Sequence, residues 1–257
     1  MIEASLRVQS RERKRVTEAV VGHKAALQAY FDGIGFDRWA SIYGGNALSS
    51  RVRRSICVGH TRMLEQATAW VVESLPMMSA RAKALDAGCG TGLFSLRLAA
   101  HGYHVTAADI VPRMVAATTN AAREAYLLDQ MTFHTGDLAG VKDHFDLVAC
   151  FNALVHYPEP DFAAMLTALT ARSRGPLFIT YAPYKPLLAA LHWVGGRFPK
   201  GNRRTEIQMV PDRFVARTLA DAGFRVHRTA RVDYGFYHVT LLEAHSETNG
   251  GARNGGE

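Results

Sequence analysis

The pattern of apolar and polar positions changes character near Ala82. Before it, apolar residues recur at helical spacing, which predicts one helix over about 16–31 and a second helix capped by Ser49 or Ser50. The buried face of the second helix should hold Val52, Ile56, Met63, Ala67, Trp70 and Leu75. The glycine-rich stretch between the two helices, 32–45, predicts turns.

From Ala82 onward, short apolar runs alternate with helical patterns, which is typical of a parallel sheet. The predicted strands are 82–87, 103–108, 131–135, 146–151, 177–181, 224–232 and 236–244. The predicted helices are about 92–101, 112–126, 160–174 and 212–222. The chain should therefore form an α/β, Rossmann-like domain: a seven-stranded, mostly parallel sheet that a C-terminal antiparallel hairpin closes.

Composition divides the chain into three parts. Residues 1–78 are expected to form an N-terminal helical extension and lid, and 79–245 the α/β domain. A segment rich in proline and glycine, 183–210, interrupts that domain after strand five and predicts a cap over the substrate. The tail, 246–257, is rich in glycine and asparagine and is predicted to be disordered.

Charge and cysteine usage limit the cellular compartment and the kinds of partner that we expect for the protein. The three cysteines are scattered, which argues for a reducing compartment and against a disulfide framework or a cysteine zinc site. No secretory signal and no 20-residue apolar span is visible, so we expect a cytoplasmic protein. The net charge is +7, and arginines and lysines cluster in 197–217. That patch suits an anionic substrate, an acidic partner or lipid head groups, or is simply a solvated face.

Residues 86–92 carry the strongest chemical signal. They read Asp-Ala-Gly-Cys-Gly-Thr-Gly, between a predicted strand and a predicted helix. Glycines there let a ligand lie against bare backbone, and Asp86 favours a ligand that bears a positive charge. Neither the dinucleotide fingerprint nor the phosphate-binding loop is present. The motif resembles the first motif of class I S-adenosylmethionine-dependent methyltransferases.

Further polar residues follow the next strands, at the edge where an open α/β sheet binds its ligand. Asp109 could bind the ribose hydroxyls of a nucleoside, and Asp137 its adenine amino group. Phe151 and Asn152 would border the methionine part of the cofactor. The predicted cofactor-binding residues are Asp86, Gly88, Cys89, Gly90, Gly92, Asp109, Ile110, Asp137, Leu138, Phe151 and Asn152.

Four blocks resemble one family, the magnesium-protoporphyrin IX O-methyltransferases. They are 30–39, which reads Tyr-Phe-Asp-Gly-Ile-Gly-Phe-Asp-Arg-Trp, the His-Tyr-Pro loop at 154–158, 181–188 and 235–244. The resemblance covers about residues 20–245. One departure is Asn152, where the family usually has an acidic residue.

The resemblance implies methyl transfer from S-adenosylmethionine to the ring-C propionate of magnesium-protoporphyrin IX, in (bacterio)chlorophyll synthesis. It implies functional roles for Tyr30 and His156, and the large subunit of magnesium chelatase as the partner that hands over the substrate. It implies no resident metal, and it leaves peripheral attachment to a photosynthetic or inner membrane open. Candidate substrate-binding residues are Phe31, Trp39, Tyr157, Trp193, Arg197, Arg203 and Arg204.

Three alternatives stay open. A methyltransferase for another small planar molecule, such as a quinone precursor, would share the core and differ in the cap. An RNA methyltransferase would fit the positive charge, but the strand-four motif of two prolines that such enzymes use is absent, and we expect no nucleic-acid partner. A catalytically inactive cofactor-binding scaffold would differ only in lacking methyl transfer.

Overall fold

A computed structural model describes residues 22–43, 50–75, 82–184 and 207–247, with the side chains of 40–43 excepted. Most of the predicted cap lies outside the described residues, and so does most of the predicted tail. Four predicted substrate-binding residues fall there too: Trp193, Arg197, Arg203 and Arg204.

The N-terminal extension is more helical than its glycines suggest. Helix α1 occupies described residues 22–30 and continues through a π-helical turn, Phe31–Gly35, into α2, Phe36–Tyr43. The prediction of turns over 32–45 is therefore wrong for most of 32–43. The exception is Gly33, whose backbone angles, φ −106° and ψ −119°, are not helical and mark a kink between the two helices.

Helix α3, Arg51–Ser74, follows and begins directly after Ser50, as predicted. Its buried face includes Met63, Ala67 and Trp70. Val52 is 43% exposed, against the prediction, because burial along this helix begins one turn later.

The sheet has the order β3-β2-β1-β4-β5-β8-β7, and β8 is its antiparallel member. The predicted seven strands are present, and a two-residue strand, β6, adds an eighth by pairing with β5. The strands are β1 Lys83–Ala87, β2 His104–Asp109, β3 Met131–Thr135, β4 Leu147–Cys150, β5 Leu177–Pro183, β6 Met209–Val210, β7 Phe224–Tyr234 and β8 Tyr237–Ser246.

Helices cover both faces of this sheet. They are α3, α4 Leu93–Ala100, α5 Pro112–Glu124, α6 Glu159–Thr170 and α7 Asp212–Asp221. On β5 the alternating residues Leu177 and Ile179 belong to one apolar cluster and Phe178 to another, so each face has its own core. Every residue of β4 and β5 is buried, as expected for central parallel strands. Within the described residues, no helix combines the length and the apolar character that crossing a bilayer requires.

Candidate active site

A cavity of about 1120 Å³, including its open mouth, lies at the carboxyl ends of β1, β2 and β4. β1 sits between β2 and β4, so this edge is the switch point of the sheet, where open α/β folds bind ligands. Residues of α1, α2 and α3 supply the opposite wall.

The glycine loop forms the floor of the cavity. Gly88, Gly90 and Gly92 have φ of +77°, +54° and +84°, values that residues with a Cβ rarely adopt. A Cβ on Gly92 would come within 2.6 Å of Thr118, which packs behind the loop. A Cβ on Gly90 would meet only Trp39 Nε1, at 3.6 Å. The space in front of Gly90 is therefore open to a ligand.

Asp109, the last residue of β2, holds the loop in place. Its Oδ2 accepts a hydrogen bond from Gly90 N at 3.0 Å, and its Oδ1 accepts one from Val111 N at 2.9 Å. Burial raises the pKa of Asp109, and the backbone hydrogen bonds oppose that rise. Each carboxylate oxygen keeps a second lone pair, with which it could accept ligand hydroxyls.

Asp86 is 2% exposed and lies on the cavity wall, where its Oδ2 accepts from Ser95 Oγ at 2.5 Å. Burial raises the pKa of Asp86 to about 6; the Ser95 hydrogen bond opposes this rise, and the charge of Asp109 adds to it. A carboxyl held in this way would be stabilised in its charged form by a cationic ligand. Asp86 and Asp109 together make this end of the cavity acidic.

Asn152, after β4, adopts φ +54°, a left-handed conformation that asparagine tolerates better than most residues. Thr180 Oγ1 accepts from Asn152 N at 2.7 Å, and the Tyr237 hydroxyl donates to Asn152 Oδ1 at 3.0 Å. Asn152 Nδ2 is buried and has no hydrogen-bond partner among the described residues. A buried donor without a partner on the cavity wall indicates a ligand acceptor there.

The roof of the cavity is aromatic. Phe31 packs edge-on against His156, with ring centroids 5.1 Å apart, and His23 Nε2 lies 2.8 Å from the carbonyl oxygen of His156. Trp39 packs against His60 at 5.2 Å between ring centroids. The N-terminal extension thus contributes two aromatic rings to the cavity lining, and one of them, Phe31, contacts His156.

The structure brings most of the predicted site residues to one cavity. Among the cofactor candidates, lining residues are Asp86, Gly88, Cys89, Gly90, Asp109, Ile110, Leu138, Phe151 and Asn152. Of the other candidates within the described residues, Phe31, Trp39, His156 and Tyr157 also line it.

Three described candidates lie outside this lining. Gly92 supports the loop from behind. Asp137 accepts from Ala139 N at 2.9 Å and pairs with Lys24 Nζ at 2.5 Å, so both of its oxygens already have partners. Tyr30 packs over Gly35 and Phe31, and its hydroxyl accepts from Arg38 at 3.3 Å.

One residue of the cavity lining, His60, was not predicted from the sequence. It lies on the buried face of α3, 5% exposed, and lines the cavity. Burial, together with the charge of Arg97, lowers the pKa of His60 to about 3, so the imidazole is neutral at pH 7. Its spacing with Ile56 and Met63 could have revealed it, as a polar residue within an apolar helical stripe.

Two family models match the chain: "Magnesium-protoporphyrin IX methyltransferase C-terminus" over residues 150–246 and "Methyltransferase domain" over residues 84–173. The chain is 34% identical over 232 residues to magnesium-protoporphyrin O-methyltransferase of Synechocystis, covering 89% of this chain and 99% of that protein. It is 31% identical to the Rhodobacter capsulatus protein of the same name, covering 84% and 94%.

A crystal structure of the Synechocystis magnesium protoporphyrin IX methyltransferase with bound SAH superimposes with a TM-score of 0.78. The sequences are 32% identical, and the match covers 87% of this chain and 99% of that one. Fold, glycine loop and near-complete coverage agree. The chain belongs to the magnesium-protoporphyrin IX methyltransferase family of class I S-adenosylmethionine-dependent methyltransferases.

Proposed function

We propose that this protein methylates the ring-C propionate of magnesium-protoporphyrin IX with S-adenosylmethionine and releases the monomethyl ester. The observation that carries the proposal is a single cavity with two halves. One half is an acidic floor built from a glycine loop, and the other is an aromatic roof next to His156. Family membership makes the porphyrin propionate the favoured substrate.

The residues present fit the cofactor. Gly90 leaves open space that a Cβ would reduce, Asp86 offers a buried carboxyl, and Asn152 Nδ2 is a donor that awaits an acceptor. When bound, S-adenosylmethionine supplies a methyl group on a positively charged sulfur. We assign its ribose to Asp109 and its methionine part to the side of Asp86, Phe151 and Asn152.

Asp137 is the weakest of the proposed cofactor contacts. Lys24 and Ala139 N occupy its oxygens, so an adenine amino group would use a remaining lone pair of the carboxylate. Ile110 and Leu138, which both line the cavity, supply apolar contacts for the base.

The protein's task in the reaction is positioning. A propionate is ionised at neutral pH, so no residue has to remove a proton before its oxygen takes the methyl group. The new C–O bond forms as the C–S bond breaks, and the carboxylate and sulfonium charges cancel. Catalysis then depends on holding oxygen, carbon and sulfur in line in a cavity that excludes water.

We assign this positioning to the roof. His156 can donate a hydrogen bond to the propionate, and Phe31, Trp39 and Tyr157 present apolar surface to the macrocycle. Tyr30 would act through Phe31, whose ring it contacts at 5.0 Å between centroids. We further propose that the cap completes the porphyrin-binding part of the cavity in the α/β domain of 79–245. The cap residues with this role would be Trp193, Arg197, Arg203 and Arg204.

The alternative substrate is another planar molecule, such as a quinone precursor. A fluorescence titration of the chain with magnesium-protoporphyrin IX, in parallel with a quinone precursor, separates the two. Saturable quenching with the porphyrin alone supports the proposal, and binding of the quinone precursor alone contradicts it.

We also propose that the porphyrin arrives from the large subunit of magnesium chelatase. Direct transfer between the two proteins suits this substrate because it is poorly soluble. The basic segment 197–217 supports an acidic partner or peripheral attachment to anionic lipid. Its described part contributes Arg213 and Arg217 on α7. Binding of the purified subunit, and of vesicles with and without anionic lipid, tests the two ideas separately.

Cofactor affinity should rise with pH around Asp86. The pKa of this carboxyl in the free protein is about 6, whereas a bound cation favours the ionised form, so binding at low pH must displace a proton. The ionised fraction rises from about a tenth at pH 5 to about nine tenths at pH 7, which predicts about tenfold tighter binding. Calorimetric titration with S-adenosylhomocysteine measures this. Asp86→Asn should bind with a flat pH profile; a flat profile in the unmodified chain would contradict the assignment.

Replacing an aromatic residue of the roof should weaken porphyrin binding and leave cofactor binding nearly unchanged. Replacing Phe31 by alanine removes a ring from the mouth and its contact with His156, which should raise the KM for the porphyrin about tenfold. Cofactor affinity should stay within about twofold of that of the unmodified chain, which corresponds to about 0.4 kcal/mol of binding free energy. Ile34→Ala is the matched control, because Ile34 is half exposed on the same turn and is not a lining residue. Equal KM changes in both variants would refute the proposed roof.

A further inference from the structure

A cluster of three metal-ligating side chains lies at the far end of the hairpin from the cavity. It comprises His227 on β7 with Glu243 and His245 on β8. Leu177, the first residue of β5, pairs with Ala244, so the cluster sits at the amino end of β5. The cavity lies at the carboxyl ends of the parallel strands, and the proposed methyl transfer makes no use of the cluster.

A β-bulge creates this cluster. Val226 pairs with Ala244 and Arg228 pairs with Glu243, so His227 is an extra residue inserted between consecutive pairs of the ladder. A bulge re-aims the side chain of the inserted residue. Here the ring of His227 stands 4.9 Å from the ring of His245, centroid to centroid.

The ligand atoms are already gathered. One atom from each of the three side chains lies within 4.8 Å of the other two, and no other group of three His, Cys, Asp or Glu side chains in the described part of the chain meets that condition. His245 Nε2 lies 2.6 Å from Glu243 Oε1, so a hydrogen-bond proton lies between the two atoms. A metal ion could take the place of that proton.

Glu243 is held as a ligand by its surroundings. Its side chain is fully buried, Ser74 Oγ donates to Oε1 at 2.5 Å, and Arg228 Nε donates to Oε2 at 2.6 Å. Partners that orient a ligating carboxylate in this way are characteristic of metal sites.

We propose that His227, Glu243 and His245 bind a divalent transition-metal ion of the zinc class at the base of the C-terminal hairpin. Two imidazoles and one carboxylate favour zinc, cobalt, nickel or copper over magnesium, which prefers oxygen ligands alone. Ligands that lie about 2.0–2.2 Å from a tetrahedral ion are about 3.3–3.6 Å apart, so His245 has to move by nearly 1 Å from Glu243. The exposed fraction of its side chain, 42%, leaves room for that movement. The ion would join β7 to β8 and, through Ser74, to the end of α3.

The test uses the full chain without a histidine tag, stripped with a chelator and titrated with Co²⁺ while its visible absorption bands are recorded. We expect one ion per chain, displaced by Zn²⁺ and unaffected by Mg²⁺. Zn²⁺ should also raise the unfolding temperature of the chain, because it binds the folded state. His227→Ala should weaken Co²⁺ binding about tenfold or more. His227→Gln, in case alanine disturbs the bulge, should have the same effect.

His238→Ala is the matched control, because His238 Nδ1 also lies 2.6 Å from a carboxylate oxygen, that of Asp233, on the same hairpin. Among the residues that the structure describes, no third His, Cys, Asp or Glu side chain forms a ligand group with that pair, so the loss of His238 should leave Co²⁺ affinity within about twofold. The proposal is overturned if the unmodified chain binds no Co²⁺ saturably. It is also overturned if neither His227 variant weakens binding, or if His238→Ala weakens it equally.

Discussion

Replacing His156 by phenylalanine is expected to lower kcat for porphyrin methylation by about 10²-fold, the loss associated with a slip in the position of one reacting group. Phenylalanine keeps the ring and its contact with Phe31, while the hydrogen-bonding nitrogens disappear. The His156 carbonyl, which interacts with His23, is backbone and survives. S-adenosylhomocysteine affinity should therefore hardly change, and steady-state kinetics with calorimetry measure both quantities.

Two further variants separate a positioning role from a structural one. His156→Gln keeps a donor near the same place and should recover part of the lost kcat. His104→Phe makes the same chemical change at an exposed residue that begins β2, at the opposite end of the sheet. This variant should keep the kcat of the unmodified chain. Wild-type kcat in His156→Phe, or a defect only in cofactor binding, would rule out the proposed role.

Replacing Asp109 by alanine is the second change with a large expected effect, this time on the cofactor. The carboxylate anchors Gly90 N and is assigned to the ribose hydroxyls, so its loss should cost about 1.5–3 kcal/mol of S-adenosylhomocysteine binding. That is a loss in affinity of about 10- to 150-fold. Asp146→Ala is the matched control, because Asp146 accepts from Lys83 N at 2.9 Å, at the other end of β1. Its replacement should leave cofactor affinity unchanged.

A double-mutant cycle distinguishes a ribose contact from mere support of the glycine loop. Asp109→Asn and the dideoxy analogue of S-adenosylhomocysteine each remove one side of the proposed contact. If the ribose binds Asp109, removing the hydroxyls should weaken ligand binding to the unmodified chain and hardly change ligand binding to Asp109→Asn. Equal losses in both proteins would mean that Asp109 acts only through Gly90.

Local pattern was sufficient for the α/β core because each strand there is a short apolar run bounded by turn residues. Strand β3 occupies 131–135 as predicted, and Asp86, Asp109 and Asn152 meet because parallel strands bring their carboxyl ends to one edge. The glycines of 32–35 predict turns, but only Gly33 leaves the helical conformation, at a kink between two helices. Strand β6 depends on a long-range pairing with β5, which no local pattern encodes.

The site was predicted less completely, for a related reason. Where a side chain points depends on its neighbours in space: Tyr30 stands at the expected place in the chain, yet Gly35 lets its ring fold away from the cavity lining. The partners of Asp137 and Asn152 come from 113 and 85 residues away, Lys24 and Tyr237. His60 was not predicted because it occupies a helical position that apolar core residues also occupy, and only its polar side chain distinguishes it from them.

The central claim is methyl transfer to a porphyrin carboxylate, and one measurement tests it most directly. The purified chain is incubated with methyl-labelled S-adenosylmethionine and magnesium-protoporphyrin IX, and the porphyrin is recovered and analysed by mass spectrometry. We expect one labelled methyl group per porphyrin, carried as a base-labile ester on the ring-C propionate, and about a hundredth as much product from His156→Phe in the same time. An unlabelled porphyrin, recovered from a chain that binds both compounds, would contradict the claim.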